Sequence, residues 1–163
     1  MQFVTKSPNS CIGIREQTVE QNLATCGSAH VTADPERLQW RIGNGAIDRT
    51  LAWSDGAGLC LAALENRATG HAWRPNLQAS EQAGGEFLLC WNGATFSARQ
   101  ATALHGARAV ADGAAVTLEI DLRVAGALDV SLFYRVRADT AVIEQWLEVT
   151  PLHAGTLSRV APL

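Results

Sequence analysis

The sequence predicts an all-β fold, an antiparallel β-sandwich with little or no helix, from three observations. Apolar and polar residues alternate along the last third of the chain, Asn-Gly pairs separate alternating runs, and no segment carries a comparable helical period. A closed barrel is the architectural alternative.

The first 30 residues carry no clear pattern, so 1–30 is expected to be a leader or arm and 31–163 the sandwich domain. In "LQWRIGNGAIDRTLAW", Leu38, Trp40 and Ile42 alternate with Gln39 and Arg41. After Asn44-Gly45, Ile47, Leu51 and Trp53 fall on one side of a second run. Asn-Gly between alternating runs predicts a hairpin with a type I′ turn, in which both central residues need positive φ. A phosphate-binding loop would need glycine where Asp48 stands, and a helix after it.

"GLCLAALENRATGHAW" predicts a strand, a turn over Asn66 to Gly70 and a further short strand. "EFLLCWNGATFSA" repeats the Asn-Gly device at Asn92-Gly93, with Phe87, Leu89 and Trp91 on one side. "SEQAGGEF" is too broken by Gly84 and Gly85 to form a helix. From residue 115 the period is two: Val116, Leu118, Ile120, Leu122 and Val124 share a face. Past a turn at Gly126 so do Val130, Leu132, Tyr134 and Val136. "AVIEQWLEVT" places Ile143, Leu147 and Val149 on one face with Gln145 between them, and sets Trp146 on the other with Glu144 and Glu148. This third of the chain therefore reads as a β-meander.

Composition excludes several function classes. The chain has 163 residues, 47% hydrophobic and 18% charged, with a net charge of -3 and no block of either sign. It has material for a core but no electrostatic footprint for nucleic acid or an anionic membrane. No stretch approaches the roughly 20 apolar residues that span a bilayer, and the N-terminus has no apolar signal region, so a cytoplasmic location is expected. Cys11, Cys26, Cys60 and Cys90 are unevenly spaced without C-x-x-C, which predicts free thiols. His30, His71, His105 and His153 lack metal-ligand spacing, and there is no G-x-S-x-G elbow, so neither a metal nor a cofactor is expected.

Four segments in order, "RIGNGAIDRTLAW", "LENRATGHAW", "EFLLCWNGATF" and "VIEQWLEVT", resemble the N-terminal domain of glycoside hydrolase family 36, the α-galactosidase (melibiase) family. The resemblance runs from about Leu38 to Val160. It implies a supersandwich of the galactose-mutarotase-like type, incomplete at this length, whose partner is a catalytic (β/α)8 barrel absent from this chain. In the family the barrel supplies the aspartate nucleophile and the general acid/base. This chain is accordingly expected to hold no catalytic residue, to support the barrel, to form a homo-oligomer and to meet galactosides. Pro151 departs from the family pattern, which tends to carry Asn there; proline is tolerated at a strand end.

Tryptophan is the residue type to weigh for sugar binding, because an indole face stacks on a pyranose. Trp40 and Trp91 run with apolar neighbours and read as core. Trp53 and Trp73 fall at strand ends and, with Asp55, are the carbohydrate-binding candidates; Trp146, among glutamates, is the interface candidate. Packing is the competing role for all three indoles. A free-standing carbohydrate-binding module is the alternative function. A third is an aldose epimerase using Glu86 with His71 or His105 as acid and base, against which stands an ordinary surface placement for these residues.

Overall fold

Alternating side chains commit most of this chain to extended backbone, and the computed structural model describes it over residues 20–76 and 85–162. The first sheet is a six-stranded antiparallel meander in chain order. Its strands are β1 (Gln21–Cys26), β2 (Ala29–Asp34), β3 (Gln39–Gly43), β4 (Ile47–Ser54), β5 (Gly58–Asn66) and β6 (His71–Trp73). A second sheet contains β7 (Phe87–Trp91), β8 (Ala94–Ser97) and the last strand of the chain, β13 (Leu157–Pro162), in the order β13-β7-β8. A 3-10 turn, Ala98–Gln100, leads from β8 into the third sheet. That sheet is β9 (Ala101–Asp112), β10 (Ala115–Val124), β11 (Leu128–Arg137) and β12 (Ile143–Pro151), in the order β12-β11-β10-β9. The fold is thus all-β and antiparallel, consistent with a β-sandwich. The expected boundary after residue 30 falls inside β2; residues 1–19 lie outside the described residues.

The core follows from strand parity. Val31, Trp40, Ile42, Leu51 and Leu59 of the first sheet join Leu118, Ile120, Leu122, Leu132 and Val136 of the third in one buried cluster, which Phe87, Leu89 and Trp91 complete. Fully burying one such side chain contributes roughly 1.5–3 kcal/mol. From Val116 to Val136 the β10–β11 strands alternate buried and half-buried residues, with Val124 opposite Leu128 across the Gly126 turn.

The two Asn-Gly turns differ. Asn92 and Gly93 take φ of 50° and 80°, as type I′ requires, between Trp91 and its partner Ala94. At the first turn the hairpin forms, with Gly43 opposite Asp48, but neither Asn44 nor Gly45 takes a positive φ. The type I′ expectation is corrected by the Asn44 side chain, which is buried. Its Oδ1 accepts from the N–H groups of Ala46 (2.8 Å) and Ile47 (3.1 Å), and its Nδ2 donates to the carbonyls of Arg137 (2.7 Å) and Thr140 (2.6 Å). An Asx turn replaces the left-handed one because the amide also binds the β11–β12 connection.

Candidate functional site

The side chains nominated for sugar binding divide between two places. Trp53 and Asp55 lie together where the β4–β5 turn meets the 3-10 turn, in an open groove of about 460 Å³ also lined by Gly56, Arg99, Gln100 and Thr102. Its shape comes from a tight approach: a Cβ on Gly58, whose φ is +62°, would collide with the backbone of Ala98 and Arg99. The Trp53 indole was expected at an exposed strand end; it is only 6% exposed and belongs to the core, so it has no open face on which a sugar could stack. Asp55 is an exposed acceptor and the exposed Thr102 hydroxyl donates to the Arg123 carbonyl at 3.3 Å, while the Gln100 side-chain carbonyl is engaged by the N–H of Ser97 at 2.9 Å. The arrangement can hold hydroxyl groups by hydrogen bonds.

Trp73 is elsewhere. It sits on β6 opposite Leu64, whereas Trp53 sits opposite Leu59 five residues away along β5, a separation of roughly 17 Å at strand rise. It is 51% exposed and packs edge-on against His71, with ring centroids 4.5 Å apart. Trp146 lies on the outer face of β12, 38% exposed, with its ring parallel to Phe133 of β11 at 5.1 Å. The two residues are direct cross-strand partners, which explains the stack.

A second groove, of about 180 Å³ and lined by Glu20, Asp34, Arg37, Gln39 and Arg41, is threaded by its own ion pairs. Arg37 meets Asp34 and Arg41 meets Glu20, each at 3.7 Å.

The charged centre of the molecule is a residue that sequence reading placed at the surface. Glu86, just ahead of β7, has no exposed area. Its Oε2 accepts from Arg49 Nη2 of β4 at 2.5 Å and from the Tyr134 hydroxyl of β11 at 2.6 Å. Gln145 Nε2 of β12 donates to its main-chain carbonyl at 2.7 Å, and the Arg49 guanidinium lies 5.2 Å from the centre of the Tyr134 ring. All three sheets are therefore tied at one carboxylate. Burial raises the Glu86 carboxyl above the usual carboxylate range, against the pull of Arg49 and Tyr134. Burial, with the Glu86 charge second, also raises the Tyr134 phenol well above its usual value. Glu86 Oε1 and Arg49 Nε make no hydrogen bond.

The signal for this cluster was parity. Arg49 shares the inward side of β4 with Ile47, Leu51 and Trp53, and Gln145 shares that of β12 with Ile143 and Leu147. An inward arginine requires an acid partner, but alternation does not say which one. The epimerase pairing is not assembled: His71 lies against Trp73, and His105 faces Asp129 at 3.5 Å.

A smaller cluster forms on the outer side of β4. His30, Gly43 and Asp48 occupy one row across β2, β3 and β4, and the missing side chain at Gly43 lets His30 Nε2 approach Asp48 Oδ1 to 3.3 Å. Arg67 reaches Asp48 Oδ2 at 3.4 Å. Burial raises the Asp48 carboxyl, with His30 and Arg67 opposing.

Among the described residues no group of three or more His, Cys, Asp or Glu side chains is placed to hold a metal ion, and no helix is long and apolar enough to cross a membrane. Cys26, Cys60 and Cys90 are free thiols. Searches against family models, curated proteins and solved structures found no match to the chain.

Proposed function

We propose that the chain is a non-catalytic β-sandwich domain, the N-terminal accessory domain of an α-galactosidase-like glycoside hydrolase, which supports a separate catalytic barrel and holds sugar hydroxyls in the Trp53–Asp55 groove. One observation carries the reading: the groove offers a single carboxylate, Asp55. Glycoside hydrolysis uses two carboxyl groups about 5–9.5 Å apart across the scissile bond. Three further acids face bases: Glu86 faces Arg49, Asp48 faces His30 and Arg67, and Asp129 faces Arg123. Binding without turnover is what such a groove supports.

The test is calorimetry with galactose and raffinose alongside an assay with a chromogenic α-galactoside. Saturable binding that is lost in Asp55→Ala, with no hydrolysis, is the expected result; turnover by the purified chain sinks the reading. A free-standing carbohydrate-binding module is the second reading, favoured by the exposure of Trp73. Binding that survives Asp55→Ala and disappears in Trp73→Ala would move the site to β6.

A further inference from the structure

The sandwich is open at one corner. On β11 the inward side chains Val130, Leu132 and Val136 are buried, but on the neighbouring strand β12 Ile143, Leu147 and Val149 are only half-buried. On β13 a bulge takes Ser158 out of the ladder, so that Leu157 pairs with Trp91 and Val160 with Leu89. Both apolar side chains thus fall on the side of β7 that faces the core, yet they remain 37% and 45% exposed. Trp146, on the outer face of β12, and Val142 and Leu152, just beyond its two ends, are exposed apolar side chains as well. β12 and β13 are each the end strand of a sheet and share no ladder. Incompletely covered apolar side chains beside two open strand edges mark an interaction site.

We propose that a second copy of this chain covers the corner about a two-fold axis, with β12 of each copy against β13 of the other. The charges select this pairing. Glu144 and Glu148 flank Trp146 on the exposed face of β12, and Arg159 is exposed on β13 without an ion-pair partner among the described residues. Pairing β12 with its own copy about Trp146 would set Glu144 opposite Glu148 of the second copy, a like-charge contact that disfavours it. The reciprocal arrangement brings Arg159 of each copy to the glutamates of the other. It is isologous and therefore closes as a dimer without leading to a filament. It also covers Leu157 and Val160, which the chain alone leaves wet.

The experiment is light scattering on the purified chain from about 1 to 100 µM, the range over which a reversible dimer reveals itself. The expected mass is twice the 17.4 kDa of the chain. Arg159→Glu is expected to weaken the dimer by about tenfold or more, and adding Glu144→Arg and Glu148→Arg is expected to restore it. Val160→Ser, at an exposed position, supplies a second disrupting variant, and thermal unfolding of each variant checks that it is folded. A wild-type monomer throughout the range overturns the proposal and leaves the corner to a different polypeptide, such as the barrel. A dimer indifferent to both Arg159→Glu and Val160→Ser overturns it as well. Sugar titration on the same samples separates this outcome from the groove, since a monomer that still binds sugar removes the dimer alone.

Discussion

Arg49 and Glu86 show how one inward-facing charge organises a core. Breaking a buried ion pair leaves the surviving charge uncompensated, which typically costs about 3–5 kcal/mol. Arg49→Met is therefore expected to lower the unfolding free energy by roughly that amount in urea titrations, with the m-value unchanged if the sheets stay packed. The proton linkage has a definite sign. Because Glu86 binds its proton more tightly when folded, the folded state holds a proton that the unfolded chain has released once pH exceeds the ordinary carboxyl value. This contribution is present at acid pH and is lost as pH rises from that value through the raised folded value. Asp48 contributes with the same sign. Glu86→Gln has no such proton, so its unfolding free energy should fall less steeply with pH across this window than that of the wild type. Parallel slopes in the two proteins would show that Glu86 titrates normally in the fold.

At the scale of the element, the β3–β4 turn is held by a side chain more than by its backbone type. Asn44 makes four hydrogen bonds from a position 2% exposed, two to its own turn and two to the β11–β12 connection. Asn44→Ala leaves the carbonyls of Arg137 and Thr140 without that donor and removes both bonds to the turn, and it is expected to cost about 1–3 kcal/mol, measured as a drop in Tm. Asn44→Asp keeps the acceptor and loses the donor, so it should retain the hairpin while loosening its tie to the β11–β12 connection. Gly43→Ala is expected to be at least as damaging, because its Cβ would meet the carboxylate of Asp48 and the carbonyl of Ile47, and the backbone atom has no rotamer to relieve the contact. Hydrogen exchange of the β3–β4 amides reads both effects. Wild-type protection in the Gly43→Ala protein would mean that the strands can separate without loss of pairing.

Across the whole molecule the five tryptophans report which surfaces are closed. Trp40, Trp53 and Trp91 are each 6% exposed, whereas Trp73 and Trp146 stand out from edge or outer-face positions. Iodide should quench only the fluorescence contributed by Trp73 and Trp146, and Trp73→Phe with Trp146→Phe should abolish the quenchable fraction. Quenching that persists in the double variant would place one of the three core indoles in water. Dimerisation through β12 and β13 would further protect Trp146 and leave Trp73 unchanged, so the same measurement at low and high protein concentration reports on the open corner.

Period-two alternation by itself determined β10, β11 and β12, their meander and the inward side of each, because the pleat sends successive side chains to opposite faces whatever lies beyond them. It did not reveal β9, whose run "ATALHGARAVAD" has too few bulky side chains to display the period and is extended by pairing with β10. Nor did it reveal β13, whose inward residues are brought onto one side by a bulge. The candidate site was legible only as residue types. The sequence nominated Trp53 and Asp55, but the covering of the indole follows from how the β4–β5 turn packs against the 3-10 turn. Glu86, one residue outside a strand, has no alternation partner to declare its direction. Its ligands Arg49 and Tyr134 lie 37 and 48 residues away in the chain, on different sheets. Local periodicity fixes which side of its own strand a residue occupies; only the stacking of sheets decides whether that side is dry, and burial is what turned an ordinary glutamate into the centre of the fold.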